Sequence, residues 1–226
     1  MMNESEPTGS PSAEADAMAN KMLRAIDQPG WDSTRYVQWT FPGGHDYLWD
    51  KAANNVRVQW KNNEVLLHTK TVAGKAFVDG NAIDGDEANE LVQTAWGYFC
   101  NDSFWLNAPA KAFDPGTSRK LVTLDDGREG LMVKYDSGGV TPGDSYVWIL
   151  GENGLPKAYK MWVKIIPVGG MEFSWENWKT MSTGCKIAQT HQSVGPTLEL
   201  TNIKVGMDLA AVGEGDDPFA GIIKVE

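Results

Sequence analysis

Three histidines, His45, His68 and His191, are the only imidazoles in the chain, and each falls in a different strand-like run. No two of them have the short spacing of a metal-ligand pair. Ser145, His45 and Asp144 would together supply a nucleophile, a base and an orienting acid for acyl transfer. The Gly-x-Ser-x-Gly turn that exposes such a serine does not surround Ser145, so each histidine is expected as an ordinary polar strand residue. Asp46 and Asp50 share a strand face at i, i+4, with Asp144 in a distant turn. Carboxylates held about 5–9.5 Å apart would serve glycoside hydrolysis, but thirty acidic residues also produce such pairs by chance. Glu214-Gly215-Asp216-Asp217 offers oxygen ligands for Ca²⁺ without the regular spacing of a dedicated loop, and a solvated tail is the expectation. Gly138-Gly139 and Gly169-Gly170 open no expected helix and therefore cradle no phosphate. Cys100 and Cys185 cannot make a metal site alone. Buried thiols are expected, with one long-range disulfide as the alternative in an exported protein. No catalytic residue, metal site or cofactor follows from these groups.

The ten tryptophans carry more information. In Val56-Arg57-Val58-Gln59-Trp60-Lys61, apolar and polar residues alternate, which puts Val56, Val58 and Trp60 on one face of a strand. Lys157–Ile166 repeats the pattern, with Tyr159, Met161, Val163 and Ile165 against Lys160, Trp162 and Lys164. Recurrent alternation implies antiparallel sheet with one wet face and one aromatic-rich face. What fills or covers the aromatic face decides the function.

The elements that position these residues follow from period and punctuation. A first helix is expected from about Pro11 to Asp27, capped by Ser10, with Ala15, Met18, Ala19, Met22 and Ile26 as its apolar stripe. Strands follow at Thr34–Phe41, His45–Lys51, Asn54–Lys61, Glu64–Thr71 and Lys75–Asp79, separated by turn residues that make consecutive antiparallel neighbours. The period then changes. Ala88, Leu91, Val92, Ala95 and Phe99 mark a second helix from about Asp84 to Cys100, and Phe104–Pro109 reads as an irregular apolar connection. A second strand set is expected at Ser118–Leu124, Arg128–Tyr135, Ser145–Leu150, Lys157–Ile166, Met171–Trp178, Cys185–His191 and Leu198–Lys204. Phe219–Val225 would add an edge strand. Residues 1–12 read as a flexible leader, 13–205 as one domain and 206–226 as an acidic tail or edge strand.

Composition narrows the partners. The 226 residues carry a net charge of −10, and no run of Lys and Arg could bind nucleic acid or anionic lipid heads. No stretch approaches the roughly 20 apolar residues of a membrane-spanning helix. The polar start shows no export signal. It reads either as the tail of a cytosolic protein or as a tether left after signal removal.

The order helix, strands, helix, irregular segment, strands resembles the outer-membrane lipoprotein-sorting (LolA/LolB-like) family over residues 13–205. The phrases that carry the resemblance are Thr34–Phe41 followed by His45–Lys51, then Phe104-Trp105-Leu106-Asn107-Ala108-Pro109, and Asp144-Ser145-Tyr146-Val147-Trp148-Ile149 leading into Lys157–Trp162. They look like those of uncharacterised bacterial envelope proteins. The resemblance implies an α+β fold: a strongly curved antiparallel half-barrel of about 11 strands, with helices on its concave face and an apolar cavity between them. In the family's carriers an arginine in an early strand helps hold a closed lid. Arg35 lies in the first expected strand here, and the resemblance does not assign it that role. The implied function is non-enzymatic binding or carriage of a hydrophobic or lipid-like ligand, periplasmic or tethered to the outer membrane, with an envelope lipoprotein as a further partner. The expected lining is Trp39, Phe41, Val58, Trp60, Leu91, Ala95, Phe99, Trp148, Met161, Val163, Phe173 and Trp175. A carboxylate-dependent hydrolase and an envelope assembly module without a small ligand are the alternatives.

Overall fold

The structure is a computed structural model and describes residues 3–137, 140–165, 168–195 and 197–220. In chain order, helices α1 (Ala13–Ala25) and α2 (Gln28–Ser33) precede strands β1 (Tyr36–Phe41), β2 (His45–Asp50), β3 (Asn55–Trp60), β4 (Asn63–His68), β5 (Ala73–Val78) and β6 (Asn81–Ile83). Helix α3 (Gly85–Asn107) and a 3₁₀ turn (Ala108–Lys111) lead to β7 (Thr117–Thr123), β8 (Glu129–Tyr135), β9 (Asp144–Leu150), β10 (Pro156–Trp162) and β11 (Met171–Ser174). Short strands β12 (Lys179–Thr180), β13 (Lys186–Ile187), β14 (Thr190–His191) and β15 (Leu198–Glu199) precede β16 (Thr201–Gly206) and α4 (Leu209–Val212). The fold is α+β with antiparallel sheets. Its ladders form a seven-stranded sheet in the order β16-β1-β2-β3-β4-β5-β6 and a five-stranded sheet in the order β11-β10-β9-β8-β7, where about 11 strands in one sheet were expected. Neither order closes on itself.

The chain divides into two compact units. Unit 1 comprises Met1–Gln28, Leu106–Thr180 and Lys186–Leu198, and unit 2 comprises Pro29–Trp105, Met181–Cys185 and Glu199–Glu226.

Unit 2 holds the seven-stranded sheet. Its meander follows from tight turns: Gly43 and Gly44 join β1 to β2 with φ of 99° and 79°, a conformation only glycine adopts at low cost. The register then places Trp39 opposite Tyr47, Tyr47 opposite Val58, and Val58 opposite Val65. One face thus carries the aromatic residues expected from period two. The opposite face is not fully wet. Tyr36, Leu48 and Leu66 form a second apolar cluster there with Val212 and Phe219, against which Phe77 and Leu209 pack. The segment expected as an acidic tail therefore supplies a short helix and two buried anchors. Asp208 caps α4 by accepting from the Ala211 amide at 2.9 Å. Gly206 gives it room, because a Cβ there would lie 2.3 Å from that of Ala211. Glu214 pairs with Arg57 at 2.6 Å. Residues 221–226 lie outside the described residues, and with them most of the expected C-terminal edge strand.

Two ionic groups of unit 2 are strongly placed. Burial raises the pKa of Asp50, but the hydrogen bonds and charge of Arg35 and the Ala53 amide outweigh it, and the carboxyl is held below its ordinary range. Lys51 sits over the Trp31 ring, 4.0 Å from its centroid, and donates to the Trp31 carbonyl. Burial lowers its pKa from 10.5 to about 8, against the favourable charge of Asp32. Between those two values the unfolded chain binds more protons than the folded one, so this side chain makes stability rise with pH across that window. Lys51→Met is expected to flatten the rise, measured as the slope of unfolding free energy against pH from 8 to 10.5 in both proteins.

Unit 1 holds the five-stranded sheet and α1. Ser12, rather than Ser10, caps α1, accepting from the Ala15 amide at 3.2 Å. Ala15, Ala19 and Met22 are buried along the expected stripe. Asp16 pairs with Arg119, which stands opposite Val133 in the ladder. Leu131, Trp148, Tyr159 and Phe173 follow one another across β8 to β11 and define one face. Val122, Leu124, Met132 and Val147 form a separate cluster, with Ile149 and Trp162 against it. Residues 3–9, read from composition as leader, make hydrogen bonds to this unit through Asn3, Glu4 and Glu6.

Candidate functional site

The polar centre of unit 2 is built by β2 and α3. His45 opens β2 and Tyr47 follows two residues later on the same face. Tyr98 and Asp102 stand one turn apart on α3, so both project along one helix edge. Asp102 is only 2% exposed, and its Oδ2 accepts from His45 Nδ1 at 2.8 Å and from the Tyr47 hydroxyl at 2.5 Å. Its Oδ1 accepts from Asn101 Nδ2 at 2.8 Å. The His45 ring stacks on Tyr98 at 4.1 Å, and Trp60 meets Tyr98 edge-on at 5.6 Å. Burial, reinforced by the Asp102 charge, pushes the Tyr47 pKa far up, which keeps the phenol a neutral donor.

Around this centre Trp39 lies flat on Tyr47, with centroids 4.4 Å apart and planes 11° from parallel. Phe99 packs edge-on against Trp49 at 5.2 Å and tilted against Trp39 at 6.3 Å. The aromatic centre of unit 1 is a chain of edge contacts: Tyr135 to Tyr146, Tyr146 to Tyr159, Tyr159 to Trp148, and Trp148 to Trp175 at 5.0 Å. His191 is buried against Trp175 at 4.4 Å and donates from Nδ1 to the Ser174 carbonyl.

Of the twelve residues expected as lining, Trp39, Phe41, Val58, Trp60, Leu91, Ala95 and Phe99 fall in unit 2, and Trp148, Met161, Val163, Phe173 and Trp175 in unit 1. All are buried except Leu91 and Phe173, which are half-buried. The groups weighed for catalysis are used elsewhere. His45 is held by Asp102 and not by Asp144, whose carboxylate accepts from Thr141 Oγ1 and the Lys164 amide. Ser145 is fully buried and donates to Glu6. Asp46 accepts from Thr40, and Asp50 pairs with Arg35. His68, half-buried at the end of β4, meets Thr71 in the turn that follows. In the acidic turn, Glu214 binds Arg57 and Asp217 accepts from the Phe219 amide at 2.9 Å. Gly138-Gly139 lies outside the described residues, and Gly169-Gly170 lies in the loop before β11.

Asp102, the residue that organises the centre, has no counterpart among the sequence expectations. The second helix was expected to end near Cys100, with an irregular segment after it. In the structure α3 runs to Asn107. Phe104-Trp105-Leu106 continues its apolar side, and no Gly or Pro intervenes before Pro109 converts it to a 3₁₀ turn. A helix carried on to the proline would have put Asp102 one turn after Tyr98.

Four tryptophan N–H groups are also distinctive. Nε1 of Trp39 and Trp49 in unit 2, and of Trp148 and Trp175 in unit 1, is buried with no hydrogen-bond acceptor among the described residues. Trp178 and Trp162 by contrast donate to backbone carbonyls.

No family model matches the chain, and no curated protein matches it. A solved structure of a DUF1329 family protein from Desulfovibrio piger is similar, with 9% sequence identity and a TM-score of 0.42, over 89% of this chain and 100% of that one.

The chemistry open to the unit 2 centre follows from its hydrogen bonds. A carboxylate can only accept, so Nδ1 of His45 carries a proton. Nε2 is then an acceptor in the neutral ring and a donor in the imidazolium. His45 is 18% exposed, which leaves its ring in partial contact with solvent beside Tyr98 and Phe41. The indole N–H groups of Trp39 and Trp49 add donors within this unit, as those of Trp148 and Trp175 do within unit 1, and a buried donor without an acceptor carries a cost of about 1–3 kcal/mol that an acceptor would relieve.

Proposed function

We propose that the protein binds a hydrophobic or lipid-like ligand without transforming it. The observation that carries this reading is the set of buried tryptophan N–H donors at Trp39, Trp49, Trp148 and Trp175, which have no acceptor among the described residues. Sites of this kind suit a ligand that is mostly hydrocarbon with a few ester, amide or carboxyl oxygens. Its chain would gain about 0.8 kcal/mol per methylene removed from water, and its oxygens would accept hydrogen bonds from indole N–H groups. The reading extends to the finer expectations drawn from the family resemblance. These are a curved half-barrel roofed by helices, a lining drawn from the twelve residues named above, a periplasmic or outer-membrane-tethered location, and a lipoprotein partner in the envelope.

The test is recovery of the ligand. Protein purified gently from its native host is extracted and examined by mass spectrometry, and the ligand-depleted protein is titrated with a fluorescent fatty acid. Co-purified lipid and enhanced probe fluorescence are the expected results. Absence of both defeats the reading.

One observation favours a second reading as a hydrolase: the His45–Asp102 pair, in which the carboxylate orients the imidazole as a general base would require. Turnover of a nitrophenyl acyl ester that His45→Ala abolishes would select it. Probe binding with no turnover retains the first reading.

A further inference from the structure

The second face of the β7–β11 sheet carries an apolar floor and two lysines, and the chain's own N-terminal residues lie on it. We propose that this face is a docking site for an acidic, extended peptide segment, occupied in cis by residues 3–9. The floor is Val122, Met132 and Val147, buried on the side of the sheet opposite Leu131 and Trp148. Lys160 stands opposite Val147 and Glu172 on this side, with its side chain only 8% exposed. A lysine so deeply set is stable as a cation only with a close partner. Both carboxylate oxygens of Glu4 receive its Nζ at 2.8 Å.

The remaining contacts read the backbone and the next acid. Trp162 Nε1 donates to the Glu4 carbonyl at 2.9 Å, the Glu4 amide donates to the Gly169 carbonyl at 3.1 Å, and the Gly169 amide donates to Asn3 Oδ1 at 2.7 Å. Two residues on, Oε1 of Glu6 accepts from Ser145 Oγ at 3.0 Å and from Lys134 Nζ at 3.3 Å. Spacing by two is that of an extended segment, whose alternate side chains point the same way. The loop is shaped for close approach: a Cβ on Gly169 would fall 2.5 Å from the Glu4 carbonyl oxygen, and one on Gly170 would fall 2.6 Å from its carboxylate. The site thus recognises Glu-x-Glu in an extended backbone, with two ammonium groups, a buried hydroxyl and an indole N–H as its readers. None of these depends on the segment belonging to the same chain. A short tether supplies a local concentration on the order of millimolar, so the cis segment masks the face until an acidic segment of a partner outcompetes it.

The full-length Glu4→Lys/Glu6→Lys variant tests this, because it keeps the chain intact while repelling its own segment from Lys160 and Lys134. The probe is a fluorescent synthetic peptide with the sequence of residues 3–12. Anisotropy is expected to show binding to the variant at least roughly tenfold tighter than to the wild type, whose site is filled at high effective concentration. Adding Lys160→Met to the variant should abolish that binding, and added salt should weaken it. A folded variant that does not bind the peptide, or binding that survives Lys160→Met, overturns the proposal. Should the variant not fold, hydrogen exchange on the wild type decides. Excess peptide must speed exchange of the Glu4 amide, and an unchanged rate overturns the proposal equally.

Discussion

Asp102→Ala is expected to lower the unfolding free energy by about 3–5 kcal/mol, because each buried donor left without its acceptor costs about 1–3 kcal/mol. The carboxylate accepts from three donors, two of them on β2. Truncation therefore strands the Tyr47 hydroxyl and the His45 N–H inside the unit and also cuts the tie between α3 and the sheet. Asp102→Asn keeps the shape and one acceptor oxygen and should cost clearly less. Tyr47→Phe removes a donor together with its need for a partner and should cost at most about 1.5 kcal/mol. Urea unfolding of the three variants gives the order directly. A loss below about 1 kcal/mol for Asp102→Ala would mean that the aromatic contacts of Phe99 and Tyr98 hold the helix without the hydrogen bonds.

Trp148→Ala should be of similar size in unit 1, about 3–5 kcal/mol, from lost burial and the cavity left behind. Trp148 is fully buried in the middle of β9, flanked in register by Leu131 and Tyr159, and packed edge-on against Tyr159 and Trp175. Trp148→Phe separates stability from binding. Phenylalanine restores much of the volume and removes an N–H that has no acceptor among the described residues, so its stability cost should be well under that of alanine. If a ligand oxygen takes that N–H, the same variant should bind the fatty-acid probe more weakly. Thermal unfolding with and without probe measures both effects, and an unaltered probe affinity would remove Trp148 from the proposed contacts.

Local chemistry was readable wherever neighbours in sequence are neighbours in space. The stripe of α1, the meander β1 to β5 and the hairpin from β7 to β8 follow from period and turn residues, and the register agrees with the alternation read at Val56, Val58 and Trp60. Cys185–His191, expected as one strand, is split into β13 and β14 around Ala188-Gln189, where the backbone turns to bond Glu176. What stayed hidden depends on contacts across the chain. The partner of His45 lies 57 residues away in sequence, and alternation names a strand's face, not the carboxylate that will meet it. Glu4 looked like part of a polar leader because composition weighs its sequence neighbours alone. Lys160, which fixes it, lies 156 residues later. Val212 and Phe219 were hidden for the same reason: an acidic, glycine-rich stretch gives no sign that two apolar anchors within it will find Tyr36 and Leu48.

The pairing of β1 with β16 carries a consequence for how the molecule is made. Val37 meets Val205, and Tyr36 meets Gly206. During synthesis β1 to β6 leave the ribosome long before β16, so for most of translation β1 has a bare margin of amides and carbonyls beside Trp39 and Phe41. Such a margin recruits other strands and seeds aggregation. The segment from β16 onward thus acts as a late-arriving guard, and closure over so long a separation is slow. A nascent chain arrested before residue 201 should need a chaperone at that margin, although most of its sheet is already present.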